Sequence, residues 1–252
     1  MKKINIALFS TRQIGFKIFQ FLNSKKMINI SYHSIHEKDL NIYNNKFNYN
    51  LVFNKKNKKK NWEIAYKELK KSKLQFCILA WWPYIVPNKI INLKDLSIIN
   101  LHPSFLPYGR GKDSNFWSIV DRTPYGVSIM KINKNIDEGD VFVKKKINYS
   151  ITDNSEKIYN KALKKIFNLF KGNIIKILQN KIKPIKQDLR KTKTYFRKDM
   201  LDKSHIKLFR KYKAIDLINI IRAKKFKNFG KAFFTKNKKK YEIEIKINEK
   251  KL

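Results

Sequence analysis

The sequence predicts an α/β fold whose sheet is largely parallel. Short apolar segments of strand length alternate along the chain with segments in which apolar residues recur every three to four positions, as on one face of a helix. The segment FCILAWW at residues 76–82 is apolar throughout, which is typical of a strand covered by helices on both faces. Because 42% of the 252 residues are apolar, we expect a sizeable core.

The first half of the chain supplies most of the predicted sheet. INIALFS at residues 4–10 predicts the first strand, and IGFKIFQFL at residues 14–22 predicts the helix that follows it. The turn between them lacks a G-x-G-x-x-G pattern, so the dinucleotide-binding fingerprint is absent. Further strands are predicted at residues 28–33, 47–53, 76–82 and 97–101, and a helix at residues 62–72.

The second half of the main domain predicts two helices and a pair of strands. A short helix is expected at residues 115–121, a β-pair at residues 126–132 and 140–147, and a long helix at residues 152–172. The long helix carries a one-sided apolar stripe. Asp153 and Glu156 resemble a capping box at its start, and Gly172 suits its end.

The composition loosens after residue 185, which predicts a boundary there. We expect a main α/β domain at residues 1–185 and a small appendage at residues 186–252. The appendage predicts a helix at residues 216–226 and a closing β-hairpin, KAFFTKNKKKYEIEIKI. Alternating apolar residues in that hairpin would allow it to pair with a second copy, so a homodimer is possible through this element.

The net charge of +39 has two interpretations. Clustered cations attract phosphate, so a functional basic face would point to nucleic acid. However, nearly all the cations are lysines, with only seven arginines, and asparagine and isoleucine are abundant while glycine and proline are scarce. This bias favours an AT-rich genome that spreads lysine over every solvated surface.

Cysteine usage and hydropathy exclude several classes of protein. Cys77 is the single cysteine, so an internal disulfide and a multi-cysteine metal site are excluded, and we expect a buried thiol. The N-terminal apolar segment is too short for a signal peptide. Because no segment has the roughly 18 apolar residues of a membrane span, the expectation is a soluble cytoplasmic protein without a membrane partner.

Residues 100–111, NLHPSFLPYGRG, concentrate two prolines, two glycines and a histidine in a chain poor in all three. Asn100 and His102 leave the carboxyl end of a predicted strand, where open α/β sheets bind ligands. Pro103 favours extended backbone at His102, which projects the imidazole. A second tight turn, IDEGD, follows about 35 residues later and contributes Asp137.

These segments resemble the folate-dependent formyltransferases. NLHPSFLPYGRG matches that family's Asn-x-His-x-Ser-Leu-Leu-Pro signature followed by Arg-Gly, with Phe105 in place of the usual leucine. IDEGDVF resembles the family's second block, and LAWWPYIVP stands where the family has its folate-binding strand and loop. The resemblance covers residues 4–150 and implies a Rossmann-like domain, 10-formyltetrahydrofolate as the formyl donor, and no metal.

Formyl transfer from a folate nitrogen to an amine needs hydrogen-bond donors at the developing oxyanion and an acceptor for the amine's proton. The resemblance assigns these roles to Asn100, His102 and Asp137. The Asn100 amide suits an oxyanion donor, His102 can donate and relay a proton, and Asp137 can take the proton. The alternative for Asp137 is a turn residue that caps its own loop.

Binding residues are also implied by the resemblance. The donor is expected at two loops, with the residues Trp82, Pro83, Tyr84, Ile85, Asn133, Lys134, Asn135 and Ile136. The acceptor is expected at Ser10, Thr11, Arg12, Arg110 and Trp117. Arg110 either pairs with an acceptor phosphate or fixes its loop, Trp117 either stacks on a base or packs in the core, and one of Trp81 and Trp82 is expected in the core.

Three functions stay open. NFWSIVDRTPYGVSI resembles the branch of the family that formylates nucleotide-linked amino sugars, which predicts a nucleotide sugar as the acceptor. The alternative is methionyl-tRNA formyltransferase, with nucleic acid as the partner; the charge favours it, but its C-terminal barrel needs about 100 residues. A lysine-rich RNA-binding protein on a degenerate α/β scaffold is the third.

Overall fold

A computed structural model describes residues 3–43, 47–72, 74–190, 192–227 and 230–250. Its strands are β1 (Ile4–Ser10), β2 (Ile28–His36), β3 (Leu51–Phe53), β4 (Phe76–Ala80), β5 (Ser97–His102), β6 (Arg110–Gly111), β7 (Gly126–Lys131), β8 (Val141–Lys146), β9 (Thr194–Tyr195), β10 (Ala232–Lys236) and β11 (Lys239–Ile243). Its helices are α1 (Arg12–Asn23), α2 (Leu40–Tyr43), α3 (Lys58–Lys71), α4 (Asn88–Ile91), α5 (Ser114–Val120), α6 (Ser155–Leu178), α7 (Arg197–Ser204) and α8 (Ala214–Lys224).

The central sheet has seven strands in the order β3-β2-β1-β4-β5-β7-β8. The first five of these strands are parallel, whereas β7 runs antiparallel to β5, and β8 runs antiparallel to β7. The prediction of an α/β fold with a largely parallel sheet is therefore confirmed. The β-pair expected around residues 126–147 is the β7–β8 pair.

Alternation along the strands divides the core between the two faces of the sheet. In β1, Ile6 and Leu8 pack with α1 and α6, whereas Ala7 and Phe9 pack with α3. All of β4 is buried, as its continuous apolar sequence predicts. Cys77 in this strand is buried, and burial raises the pKa of its thiol, which leaves it unreactive.

Helix α6 differs from the prediction at both ends. It continues through Gly172 to Leu178, because Ile174 and Ile177 extend its buried stripe. Burying these side chains outweighs the cost of about 1 kcal/mol for glycine inside a helix. The N-cap is Asn154, whose side chain accepts the backbone N–H of Lys157, so the capping box expected of Asp153 and Glu156 is wrong. Asp153 instead accepts the backbone N–H of Ser150.

The segment predicted to form an appendage packs against the predicted main domain. Helix α8 contacts α5, and the guanidinium of Arg222 is buried and donates to the carbonyl oxygens of Ser150 and Asp153. The predicted closing hairpin is present as β10 and β11. Strand β9 pairs with β6, which follows the Asn100–His102 segment, so the appendage also contacts the loop expected to carry function. Helix α7 was not predicted. None of the helices in the described ranges combines the length and apolarity that crossing a membrane requires.

Candidate active site

The carboxyl end of β5 presents two polar side chains on one face of the sheet. Asn100 and His102 alternate with Ile99 and Leu101, which pack in the core. Both polar residues line a cavity of about 310 Å³ at this edge of the sheet. Parallel sheets commonly bind ligands here, because the loops that follow the strands converge at their carboxyl ends.

Asp137 lies beside His102, although the two are far apart in sequence. Its Oδ2 is 3.6 Å from Nε2 of His102 and accepts the backbone N–H of Gly111 at 2.8 Å. His102 is buried, with Nε2 also 3.5 Å from the carbonyl oxygen of Gly109. The β7–β8 turn therefore places a carboxylate beside His102, which lines the cavity, although Asp137 itself does not line it.

Arg110 takes the loop-fixing alternative in this structure. Its guanidinium is buried, donates to Glu138 at 2.5 Å and to the carbonyl oxygen of Thr192 at 3.1 Å, and does not line the cavity. These contacts join the β5 loop, the turn containing Asp137 and the start of the appendage. Arg110 thereby fixes the position of Asp137.

The acceptor residues expected after β1 have different surroundings. Ser10 is fully buried and hydrogen bonds to His33 and Tyr43, and Thr11 is buried and donates to Asp39 at 2.5 Å. Arg12 alone of the three lines the cavity. Ser10 and Thr11 therefore fix the strand end from which Arg12 projects.

Trp117 takes the core alternative, because it is buried and its ring stacks on Tyr195 at 4.4 Å. The tryptophans of the other loop divide differently from the expectation of one in each role. Both tryptophans line the cavity and both also pack against the core, Trp82 edge-on against Phe9 and Phe53.

Only some of the other residues expected to bind the formyl donor lie at the cavity. Pro83 lines it, whereas Tyr84 stacks on His36 and Ile85 is 72% exposed. The second donor loop, Asn133 to Ile136, does not line the cavity. Asn133 accepts the backbone N–H of Asn135, and Asn135 donates to Glu138; Lys134 is exposed, and Ile136 is 39% exposed.

The sequence did not predict several of the residues that line the cavity. Tyr159 from α6 and Asp113, Arg197 and Lys224 all line it. Arg197 pairs with Asp113 at 3.0 Å. Burial raises the pKa of Asp113, and burial lowers the pKa of Lys224, an effect that the nearby Asp113 opposes. Two cations from the appendage therefore share one carboxylate at the cavity wall.

Nothing in the sequence marks these residues. Tyr159 falls within the apolar stripe of a helix, and Lys224 lies in the lysine-rich segment RAKKFK. No group of three or more histidine, cysteine, aspartate or glutamate side chains that could hold a metal ion occurs among the described residues.

The fold is an α/β domain with a seven-stranded sheet, and a cavity lined by polar residues lies at the carboxyl end of β5. The chain belongs to the formyl transferase family, because the model of that family matches residues 17–171. A second model, the N-formyltransferase dimerization C-terminal domain, matches residues 199–249, within the predicted appendage.

Curated relatives with similar sequences are methionyl-tRNA formyltransferases. The protein of Malacoplasma penetrans is 28% identical over 174 residues, which cover 69% of this chain and 53% of the relative. That of Mesoplasma florum is 32% identical over 125 residues, covering 49% of this chain and 40% of the relative. The chain thus spans about half the length of the curated relatives it matches.

Solved structures with a similar fold include several sugar N-formyltransferases. A 4-N formyltransferase from Francisella tularensis superimposes with a TM-score of 0.82 at 21% identity, covering 98% of both chains. The N-formyltransferase from Helicobacter canadensis, solved with folinic acid and dTDP-3-aminofucose, gives a TM-score of 0.67 at 20% identity, covering 94% of this chain and 85% of that one. Methionyl-tRNA formyltransferase from Clostridium thermocellum gives 0.58 at 17% identity, covering 96% and 92%.

Proposed function

We propose that this chain transfers a formyl group from 10-formyltetrahydrofolate to the primary amine of a nucleotide-linked amino sugar. The observation that carries the proposal is the arrangement of Asn100, His102 and Asp137 at one edge of the sheet, with two of the three in the cavity wall. Membership of the formyl transferase family supports the reaction class.

The three residues can perform the steps that formyl transfer requires. The folate supplies a formyl group bonded to its N10 nitrogen. As the acceptor amine bonds to the formyl carbon, Asn100 donates an N–H to the developing oxyanion, and His102 is placed to donate a second. Asp137 takes the proton that the amine loses, directly or through His102. Breakage of the bond between the formyl carbon and N10 then releases tetrahydrofolate, and N10 takes up the proton that Asp137 received.

The side chain of Asn100 fits this role. It lines the cavity and makes no hydrogen bond to any of the described residues, so both of its N–H groups are available to a ligand. We assign the donor to the cavity wall formed by Trp82 and Pro83. Tyr84, Ile85 and residues 133–136 stay predictions for the donor site.

The acceptor is proposed to be small because the appendage forms part of the cavity wall. The cavity is lined by Arg197, Met200, Lys224 and Phe226 of this segment as well as by residues of β5. Arg12, Arg197 and Lys224 provide positive charge for a diphosphate. The fold shared with the Helicobacter canadensis N-formyltransferase, which was solved with dTDP-3-aminofucose, and the C-terminal family match also support this acceptor class.

Methionyl-tRNA is the second candidate acceptor. The curated relatives and the net charge of +39 favour it. The two acceptor classes differ in how their binding depends on salt, because a surface that tracks nucleic-acid phosphates loses affinity steeply as salt rises.

The test is a screen of amino-sugar nucleotides and initiator methionyl-tRNA with 10-formyltetrahydrofolate, in which release of tetrahydrofolate is measured. Formylation of a nucleotide sugar supports the proposal, and formylation of the tRNA alone replaces it with the second candidate. If saturating folate fails to raise the melting temperature of the folded protein, the formyltransferase proposal is wrong. RNA binding with a steep salt dependence and no turnover would favour the RNA-binding alternative.

We also propose a homodimer formed through the C-terminal hairpin. The match to a dimerization domain at residues 199–249 includes both strands of this hairpin, and Tyr241 is 42% exposed on it. Light scattering during gel filtration would give twice the chain mass. Replacing Tyr241 with Lys should shift the protein towards monomer, whereas an unchanged dimer would place the interface elsewhere.

A further inference from the structure

Two residues at the cavity have an unusual backbone conformation. Arg12 and Trp81 follow the paired strands β1 and β4, whose last residues, Ser10 and Ala80, lie opposite each other. Both have left-handed φ angles, +60° for Arg12 and +65° for Trp81. This conformation is strained for residues other than glycine and persists where the surrounding contacts hold it.

A single hydroxyl group holds both side chains. Nη1 of Arg12 donates to Oη of Tyr159 at 2.6 Å, and Nε1 of Trp81 donates to the same oxygen at 2.8 Å. The ring of Tyr159 packs edge-on against Trp81 at 5.8 Å and against Phe226 of the appendage at 5.2 Å. Tyr159 thus joins two sheet loops, helix α6 and the appendage.

The hydrogen-bonding capacity of Tyr159 leaves one group for a ligand. A guanidinium and an indole N–H can only donate, so the two contacts occupy both lone pairs of the phenol oxygen. The O–H of Tyr159 is then its remaining donor, and no acceptor for it occurs among the described residues. Because Tyr159 lines the cavity, this donor can reach a ligand oxygen there.

The charge of Arg12 is also left for a ligand. Within the described part of the chain, no carboxylate lies at ion-pair distance from Arg12, which is exposed at the cavity. A carboxylate anchor would neutralise the guanidinium, whereas the neutral phenol fixes its position and leaves its charge intact. The guanidinium fork suits oxygen atoms of phosphate groups.

We propose that Tyr159 is a positioning residue that holds Arg12 to bind an anionic oxygen group, of phosphate or diphosphate chemistry, on the acceptor. The assignment of this anion to the acceptor rests on the proposed function. The O–H of Tyr159 contacts the same ligand, so both residues contribute to one anion subsite. This subsite would favour acceptors that carry a phosphate over free amines.

The test uses inorganic pyrophosphate as the probe, titrated calorimetrically into the full chain at about 0.15 M salt. The variants are Arg12→Met, Tyr159→Phe and the double variant. Lys17→Met removes an equal charge from an exposed position on α1, and Tyr66→Phe removes a phenol hydroxyl elsewhere. Phe at position 159 keeps the ring that packs on Trp81 and Phe226.

Each single variant at the subsite should raise the Kd for pyrophosphate about 10–100-fold, the effect of losing a hydrogen bond to a charged group. The double variant should lose far less than the product of the two single effects, because Tyr159 acts largely through Arg12. The two control variants should stay within about twofold of the unmodified protein, as surface changes away from a site do.

If Tyr159→Phe binds pyrophosphate normally while Arg12→Met does not, Tyr159 has no positioning role. If Lys17→Met weakens binding as much as Arg12→Met, the anion follows diffuse charge, and the subsite is wrong. Binding of 10-formyltetrahydrofolate by Tyr159→Phe shows that the variant is folded at the site. With an identified acceptor, Tyr159→Phe should raise its KM and leave the folate KM unchanged. Absence of any turnover contradicts the proposed function, while the pyrophosphate titrations still decide this inference.

Discussion

His33 should make the stability of this protein depend on pH above the range in which carboxylates titrate. The imidazole is 2% exposed on β2, stacks on Phe19 at 4.6 Å and hydrogen bonds through Nε2 to Ser10 at 2.8 Å. Burial lowers the pKa of His33 from 6.5 to about 4. The folded protein therefore keeps this side chain neutral at a pH where the unfolded chain protonates it.

The sign and size of the effect follow from proton linkage. Between the folded pKa of about 4 and the unfolded pKa of 6.5, the unfolded chain binds more protons at His33, so the free energy of unfolding falls as pH falls. Lowering the pH from about 7.5 to about 5 should remove about 2 kcal/mol. The contribution of His33 should reach about 3 kcal/mol near pH 4 and level off only below it.

Urea unfolding at pH 7.5 and pH 5 measures this loss, and His33→Gln isolates it, because glutamine cannot titrate but can still hydrogen bond to Ser10. The variant should lose about 2 kcal/mol less than the unmodified protein over this interval. His205→Gln, at a half-exposed position, serves as the matched control for the replacement of a histidine by glutamine. Burial also lowers the pKa of His36, and that contribution is common to all three proteins. Equal losses in the unmodified protein and His33→Gln would refute the reasoning.

Three further predictions concern the site, the backbone and the charge. Asp137→Asn keeps an oxygen for the Gly111 N–H but removes the proton acceptor, so kcat should fall about 10²–10⁴-fold with little change in folate KM; near-normal turnover would make Asp137 a turn residue. Gly111→Ala should cost about 2–4 kcal/mol in urea unfolding, because φ is +86° and a Cβ would overlap the carbonyl oxygen of Tyr195. Gly172→Ala, which has open space inside α6, should instead gain about 0.5–1 kcal/mol, and similar effects at the two positions would contradict the steric argument. Replacing the lysines of residues 55–60 with glutamine should leave kcat/KM for a small acceptor within about twofold, whereas a loss confined to tRNA would favour the second candidate.

The local sequence was sufficient to place Asn100 and His102. They lie two residues apart at the end of one strand, so their side chains are on the same face of the sheet. The position of Asp137 depends on how strands that are separated in sequence pair with one another. The predicted pair of strands around residues 126–147 brings its turn back beside β5, and the observed antiparallel β5–β7–β8 arrangement provides that return. The alternation of strands and helices was likewise enough for the fold class.

The rest depends on contacts between distant segments. Arg110 and Trp117 each had two interpretations, which Glu138 and Tyr195 decide only after folding brings them near. The end of α6 was misplaced because Gly172 has the sequence signature of a stop but lies on the open face of the helix. Helix α7 has little apolar periodicity, so only its packing reveals it.

Burial, rather than the number of cations, indicates where charge has a role in this chain. Three cations among the described residues are buried: Arg110, Arg222 and Lys224. The two arginines donate hydrogen bonds to protein oxygen atoms and thereby connect loops to one another. Lys224 lines the cavity close to the carboxylate that pairs with Arg197, and burying an ammonium is costly unless other charges compensate it. Asp113 offsets part of that cost, so the buried cations among the described residues, rather than the many exposed lysines, show where charge has a structural role.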